Sequence, residues 1–373
     1  MRAGVYLHIP FCLRKCHYCS FNSIPYDEKT AERYAGAIRA EIASSRIAFE
    51  AATLYIGGGT PTVLPQDTLL SIVRAARDKF KIKQGIEATI EANPGTVGGL
   101  DIPAIVEAGI NRVSLGVQSF NPAEQKLMGR AHGVQEVESS FARLREGGID
   151  NISLDLIYSL PGQDIASWRA SLGRAADLKP SHISLYDLSI DEGTVFYSEF
   201  KAGRIMPPPE EVQVDMYLQA VEFLESEGYI RYEISNFALP GRECQHNLDY
   251  WSAGDFIGFG AGAHSYAGGA HWADISNIND YIDAVYGGGQ PSDTREELSS
   301  AEREREYLML GLRKAGGFRV DEYAARFGRD FMAAHGRTFE RLARTGYMEF
   351  SGGNARLTLA GILASNRVMA EFF

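Results

Sequence analysis

The chain has 373 residues, of which 45% are hydrophobic and 23% charged, as in an ordinary globular protein of roughly two or three domains. Lys and Arg total 37 against 48 Asp and Glu, so the net charge of -11 disfavours nucleic acid and anionic lipid as partners. The sequence contains no signal-peptide core and no apolar run of about 18 residues. We therefore expect a cytoplasmic protein with reduced thiols and no membrane anchor of its own.

Short apolar segments, rich in β-branched and aromatic residues, recur along the first half of the chain and predict strands. They span residues 5–9, 52–56, 87–92, 112–118, 152–158 and 182–188. Helical periodicity occupies the intervals, at 29–45, 66–80, 134–146 and 165–177. Repeated strand and helix units imply parallel strands with right-handed crossovers. We predict an α/β fold, a partial TIM-like (β/α)6 barrel, with an open Rossmann-like sheet as the alternative.

The regular alternation ends near residue 200, which suggests three regions. Residues 1–200 form the predicted barrel, and residues 201–298 form its extension and a linker, with a helix near 210–227 and a Gly-rich stretch at 258–269. Residues 299–373 are predicted to form a small C-terminal, mostly helical domain. Its helices, hairpin and final helix are similar to a winged-helix module, although the acidic chain argues against DNA binding.

Three of the four cysteines form the pattern C-x3-C-x2-C at Cys12, Cys16 and Cys19, directly after the first predicted strand. In a reducing compartment this spacing indicates metal binding rather than disulfides. A buried thiol stripe on a helix and a zinc site completed by His8 or His17 are alternatives. A four-iron cluster held by three thiolates leaves one iron open to a ligand. The pattern and the barrel together resemble the radical SAM superfamily, which implies a [4Fe-4S] cluster and S-adenosylmethionine.

Polar residues follow the second predicted strand, end the third and fourth, and lie within the fifth, and in a barrel the carboxyl ends of the strands carry the functional loops. They are Gly57 to Thr60 with Thr62, then Glu91 with Asn93, Gln118 and Asp155. Glycines permit close backbone approach to a ligand, and the alternative is a plain turn. A carboxylate directed into a barrel requires a partner. That partner is either a ligand or a structural ion pair, for example with Arg130.

Several further segments resemble the coproporphyrinogen oxidase-like radical SAM proteins over residues 6–266, and the C-terminal stretch resembles that family's small helical domain. The segments are YLHIPFC, GGGTPT, EANP, LGVQSF, GRAH, DLIYSLPGQ, HNLDYW and GFGAGAHS. The resemblance implies cofactor contacts at Tyr6, Gly58, Gly59, Thr60, Glu91, Gln118, Arg130 and Asp155, and cluster ligation by the three cysteines. Tyr18, between two of those cysteines, is expected to pack beside the cluster or the adenine.

The family has two branches, and features of this sequence distinguish between them. Oxygen-independent coproporphyrinogen III oxidases carry a fourth motif cysteine and an N-terminal extension, and they decarboxylate propionate side chains by radical chemistry. The heme chaperone branch lacks the extension and has Phe at that position. Here Phe21 occupies it and the first cysteine is residue 12, so the resemblance favours the chaperone branch, with the oxidase as the alternative. Whether the chain is an enzyme stays open, since a carrier can bind or cleave S-adenosylmethionine too.

The chaperone branch implies heme as cargo, a reducing electron donor and a protein that accepts the heme. A membrane protein is a possible acceptor. His246, in the HNxxYW element, is the candidate heme ligand. A hydrogen-bonded core histidine is the alternative interpretation. Cys244 is another candidate ligand, although a buried thiol is the simpler interpretation. No catalytic residue is assigned from the sequence.

Overall fold

Strands that alternate with helices build the first half of the protein, and the computed structural model describes all 373 residues. The strands are β1 Arg2–Ile9, β2 Phe11–Cys12, β3 Ile24–Pro25, β4 Glu50–Gly58, β5 Ala88–Ala92, β6 Arg112–Gln118, β7 Asn151–Tyr158, β8 His182–Asp187, β9 Ile230–Arg231, β10 Asn236–Ala238, β11 Asp255–Phe259, β12 His264–Ala267, β13 Ala270–Asp274, β14 Ser292–Glu297, β15 Phe318–Arg319, β16 Met348–Ser351 and β17 Asn354–Leu357. The six predicted strands are confirmed as β1 and β4 to β8.

The predicted helices are confirmed as well, with ends that differ by no more than a residue or two. The helices are α1 Glu28–Ser44, α2 Gln66–Phe80, α3 Pro94–Val97, α4 Ile102–Glu107, α5 Pro122–Leu127, α6 Val134–Glu146, α7 Ile165–Asp177, α8 Val195–Lys201, α9 Glu210–Ser226, α10 Gln245–Trp251, α11 Ile278–Tyr286, α12 Ser300–Gly311, α13 Val320–Phe327, α14 Phe331–Arg344, α15 Leu359–Leu363 and α16 Ser365–Ala370, with a 3-10 turn at Pro61–Val63. None of them combines the length and apolar character needed to span a bilayer.

One sheet of twelve strands dominates the fold, in the order β14-β13-β12-β11-β1-β4-β5-β6-β7-β8-β10-β9. The six predicted strands are consecutive and parallel, without the reversal of order that marks a doubly wound sheet. The partial barrel is therefore correct and the Rossmann-like alternative is wrong. β11 adds a seventh parallel strand beside β1, at the start of the Gly-rich stretch. Residues 201–298 thus extend this sheet at both of its edges.

The strands of the barrel alternate between two environments. In β1, Val5, Leu7 and Ile9 are fully buried and belong to the main hydrophobic core, which includes the apolar faces of α1 and α2. The intervening Tyr6 and His8 are hydrogen-bonded to each other on the opposite, concave face. Apolar burial thus fixes the outer face of the sheet, whereas polar side chains occupy the concave face.

The C-terminal region packs helices α12 to α16 around the small sheet β15-β17-β16, which agrees with the winged-helix-like prediction. Ser299 caps α12 through a capping box with Glu302. Buried Glu304 accepts hydrogen bonds from Tyr323 and His335 and so connects α12, α13 and α14. Packing of this kind ties three short helices into one unit.

Candidate functional site

The three motif cysteines lie in the loop that follows β1. Cys12 ends β2, its carbonyl accepts from the Tyr26 amide at 2.8 Å, and the Cys19 amide donates to the Cys16 carbonyl at 3.2 Å. The segment is not helical, so the alternative of a thiol stripe on one helix face is wrong. All three thiols are partly exposed and line a common cavity of about 400 Å³.

The donor set of this loop fits an iron-sulfur cluster better than a zinc ion. His8 hydrogen-bonds to Tyr6 and Asn22, and His17 Nδ1 lies 2.8 Å from the Leu127 carbonyl, so both histidines have other partners. No three acidic, histidine or cysteine side chains converge on the position of a single ion. Thiolates bound to three different irons of one cluster do not need to converge.

The glycine triplet at the end of β4 packs against both the cysteine loop and β1. Gly58 has a φ of 115°, and a side chain there would lie 2.7 Å from the His8 ring. A Cβ on Gly59 would lie 2.6 Å from the Phe11 carbonyl and 3.0 Å from Cys12 Sγ. Glycine is therefore required at both positions by close packing and, at Gly58, also by its positive φ.

Seven of the eight predicted cofactor residues line the same cavity as the thiols. They are Gly58, Gly59, Thr60, Glu91, Gln118, Arg130 and Asp155. Tyr6 is absent from the lining, and its hydroxyl is 3.0 Å from His8 Nδ1. The carboxyl ends of the parallel strands bring these side chains together, as barrel geometry predicts.

Glu91 is held at the wall of the cavity by two hydrogen bonds. Tyr55 donates its hydroxyl to Oε1 at 2.9 Å, and the Gly58 amide donates to Oε2 at 3.1 Å. Burial raises the pKa of Glu91 to about 7, with a further increase from the nearby charge of Asp155. A cationic ligand would relieve this penalty, so Glu91 is suited to an ammonium group.

Asp155 and Arg130 do not form the alternative structural ion pair. Asp155 accepts a hydrogen bond from the Ser114 hydroxyl, which lies 2.9 and 3.1 Å from its two carboxylate oxygens, and burial raises the pKa of Asp155. Arg130 instead donates to Asn93 Oδ1 and, at 3.3 Å, to Cys16 Sγ. Arg130 thus places a permanent positive charge beside a thiol that has to become a thiolate on binding metal.

Backbone distortion directs Gln118 into the cavity. The pairing of β6 with β7 shifts register between Gly116 and Gln118, and Gln118 has a left-handed φ of 68°. A bulge that re-aims a side chain beside a cavity, at some conformational cost, is typical of a functional position.

Tyr18 also lines the cavity, and it packs against Phe196 at a ring separation of 6.4 Å. The Arg130 guanidinium lies 3.5 Å from the Tyr18 hydroxyl. This packing agrees with the predicted place of Tyr18 beside the cysteines.

Part of the cavity lining, at and just after the end of β8, was not predicted from the sequence. Tyr186, Asp187 and Asp191 line the cavity, and Asp191 accepts a 2.7 Å hydrogen bond from Ser20 of the cysteine loop. Polar residues after the last apolar strand, in the segment LYDLS, were the available signal. The same rule that selected the other strand ends applies to them.

The Gly-rich stretch supports the cysteine loop from the other side. Asn22 donates to the Ala261 carbonyl at 3.1 Å, and a side chain at Gly262, which has a φ of 75°, would lie 2.6 Å from the Asn22 amide nitrogen. Further along, the Gly260 amide donates to buried Glu41 at 2.9 Å. Close backbone contact accounts for the glycines of GFGAGAHS.

His246 lies elsewhere, at the amino end of β4 on the floor of the barrel. Its Nδ1 is 2.7 Å from Thr53 Oγ1, and its ring packs on Tyr55 at 5.0 Å. Burial lowers the pKa of His246 to about 4, so the ring is neutral at pH 7. Cys244 is fully buried beside Glu87, and burial raises the pKa of this thiol to about 12. The site residues therefore fall into two groups, one at each end of the barrel.

Comparisons with known proteins agree with this architecture. Residues 6–175 match the radical SAM superfamily, and residues 298–364 match the HemN C-terminal domain. The solved structure of Escherichia coli coproporphyrinogen III oxidase, described as a radical SAM enzyme, shares the fold with a TM-score of 0.86, covering 99% of this chain and 89% of that chain at 24% identity.

Curated relatives are similar along their whole length. The heme chaperone HemW of Bacillus subtilis is 36% identical, covering 99% of this chain and 98% of the relative. The heme chaperone HemW of Lactococcus lactis is 34% identical, covering 99% and 97%. The chain therefore belongs to the HemW family within the radical SAM superfamily.

Proposed function

We propose that this protein is a heme chaperone, which binds heme together with a [4Fe-4S] cluster and S-adenosylmethionine and delivers the heme to acceptor proteins. The observation that carries the proposal is the similarity to chaperones named HemW over 98% of their length, at 36% identity. The likeness to the oxidase, at 24% identity, extends to the fold alone. Phe21, which is 67% exposed at the cavity and supplies no thiol, supports the chaperone branch.

The cofactor site in this proposal is the cavity at the carboxyl ends of the strands. Cys12, Cys16 and Cys19 would hold the cluster, whose chemistry is one-electron transfer to S-adenosylmethionine. Glu91 would hold the ammonium group of that cofactor, because its buried carboxylate has two donors but no cation. Asp155, fixed by Ser114, would orient hydroxyl groups of the ribose.

The heme partner in this proposal is a neutral histidine at the other end of the barrel. His246 Nδ1 is occupied by Thr53, which leaves Nε2 without a partner in the protein. A neutral imidazole nitrogen whose companion nitrogen is hydrogen-bonded is the usual form of a heme ligand. The remaining partners would be a reducing electron donor and a heme-accepting protein, in the cytoplasm or at its membrane face.

An anaerobic assay of the reconstituted protein tests the proposal. Protein, S-adenosylmethionine and reductant would be incubated with coproporphyrinogen III in one arm and heme in the other. We expect a stoichiometric heme spectrum, transfer of that heme to an apo-acceptor, and no conversion of coproporphyrinogen. Formation of protoporphyrinogen would instead establish the oxidase.

A variant assay tests the proposed ligand. H246A should lose the ligand-dependent part of the heme spectrum and retain the cluster absorption, because His246 contacts Thr53 and Tyr55 and none of the three motif cysteines. Full retention of the spectrum would exclude His246 as the ligand.

A further inference from the structure

A second pocket adjoins the cofactor cavity and differs from it in charge. It has a volume of about 450 Å³, and its lining includes Arg14, Lys126, Arg130, His132, Gln125 and Val134. No acidic side chain lines it, although the protein as a whole carries a net charge of -11. Arg14 and Arg130 also line the cofactor cavity, so they stand between the two spaces.

Arg130 is already hydrogen-bonded within the protein, whereas the other two cations of this pocket, Arg14 and Lys126, are free to bind a ligand. Arg14 and Lys126 are exposed, and neither takes part in a salt bridge. His132 is only 6% exposed, and its Nε2 has no hydrogen-bond partner. A buried polar atom without a partner is uncommon in proteins. Burial and the neighbouring Arg130 lower the pKa of His132 to about 3, so the ring is neutral and only Arg14 and Lys126 offer free charge to an anion.

The acidic side chains on the flanking helices are already engaged. Glu124 of α5 accepts from Ser119 at 2.5 Å, and Glu136 of α6 accepts from the Gly133 amide at 2.6 Å. Neither carboxylate lines the pocket, and neither forms an ion pair with Arg14 or Lys126. A carboxylate that enters it would meet two free cations and the amino end of α6.

Apolar side chains surround the adjacent cavity mouth. Phe21, which lines the cofactor cavity, is 67% exposed, and Leu13, between Cys12 and Cys16 in the same loop, is 57% exposed. The cofactor cavity, at about 400 Å³, is small among ligand sites, which span about 300–1,000 Å³. Once S-adenosylmethionine is bound inside, a tetrapyrrole has to lie across the mouth of this cavity. Exposed apolar side chains next to free cations match a flat, apolar molecule with acidic substituents.

We propose that this pocket binds a propionate carboxylate of the tetrapyrrole through Arg14 and Lys126, while the macrocycle lies on Phe21 across the mouth of the cofactor cavity. The inference rests on the proposed function, since it assumes a tetrapyrrole ligand. The proposed contact is separate from the one at His246. Thr53, which hydrogen-bonds to His246, precedes Gly58 at the rim by five residues, a distance of about 16 Å along a strand.

The test compares hemin with hemin dimethyl ester, in which both carboxylates are blocked. Wild type, H246A and the double variant R14Q/K126Q, the last also combined with H246A, would be titrated with each at two salt concentrations, so that the H246A background isolates the position at the rim. We expect the double variant to bind hemin about tenfold more weakly, because the carboxylate loses two charged hydrogen-bond partners. Most of the salt dependence should disappear with them, because salt screens the attraction between charges. Binding of the ester should change little.

The matched control is K29Q/R46Q, which removes two exposed cations remote from the cavity and changes the net charge equally. Cluster absorption and affinity for S-adenosylmethionine should be normal in both variants. Equal binding of hemin by wild type and R14Q/K126Q, or equal weakening of hemin and its ester, would overturn the inference. Failure of wild type to bind hemin at all would overturn the proposed function, and this inference with it.

Discussion

Both ends of the barrel contain ionisable groups that are at least partly buried, but these groups have different hydrogen-bond partners at the two ends. At the floor, the Glu87 carboxylate accepts from the amides of Gln245 and His246 at 3.0 Å and from Cys244 Sγ at 3.4 Å. At the rim, Glu91 faces a cavity and accepts only from neutral groups, the Tyr55 hydroxyl and the Gly58 amide. Burial alone therefore does not identify a binding site, whereas burial beside open space with unmet charge does.

Exchange of cysteine for serine provides the largest test of this comparison. C16S should lose the visible absorption and most of the iron after anaerobic reconstitution, because a hydroxyl is a poor ligand for iron-sulfur clusters. C244S, at the floor, should retain both. Equal loss in the two variants would mean that the cluster is not assembled at the rim.

Substitution of Glu91 should separate binding from stability. E91Q should weaken affinity for S-adenosylmethionine by about tenfold or more, because it removes a charged partner of the ligand. The floor variant E87Q should leave that affinity unchanged. Isothermal titration of the reconstituted proteins measures both, and an unaffected E91Q would remove Glu91 from the cofactor site.

The pH dependence of E91Q follows from the direction of the pKa shift. The folded protein holds the Glu91 proton up to a pH of about 7, whereas the unfolded chain releases it near its ordinary value of 4.5. Wild-type stability therefore falls as the pH rises through this range, and affinity for a cationic ligand increases. E91Q should flatten both curves and melt at a higher temperature than ligand-free wild type at pH 8. A lower melting temperature for E91Q than for wild type at pH 8 would contradict the idea that the Glu91 carboxylate lacks a cationic partner.

The smallest expected effect concerns the support of the cysteine loop. Asp274 is buried next to Glu41, and burial together with that neighbouring carboxylate raises the pKa of Asp274. The folded state thus keeps a proton that the unfolded chain releases, and stability is lost as the pH rises through the raised pKa. D274N should melt about 1–2 °C higher than wild type at pH 9, and less so at pH 7. D293N, on exposed β14, should show no such gain.

Much of this organisation followed from the sequence. Strand and helix positions were predictable because apolar periodicity is a local consequence of backbone geometry, and the C-x3-C-x2-C pattern indicated a metal site before any fold was known. Residues at strand ends, such as Glu91 and Gln118, were predictable because parallel strands share one edge.

Tertiary structure alone decided the rest, since distances between remote segments depend on how the sheet closes. It placed β11 as a seventh parallel strand, paired Arg130 with Asn93 instead of a carboxylate, and moved His246 to the floor. It also brought Arg14 and Lys126 to one pocket. Sequence thus determined which chemical groups are available, and the packing of helices against a curved sheet decided which of them share a site.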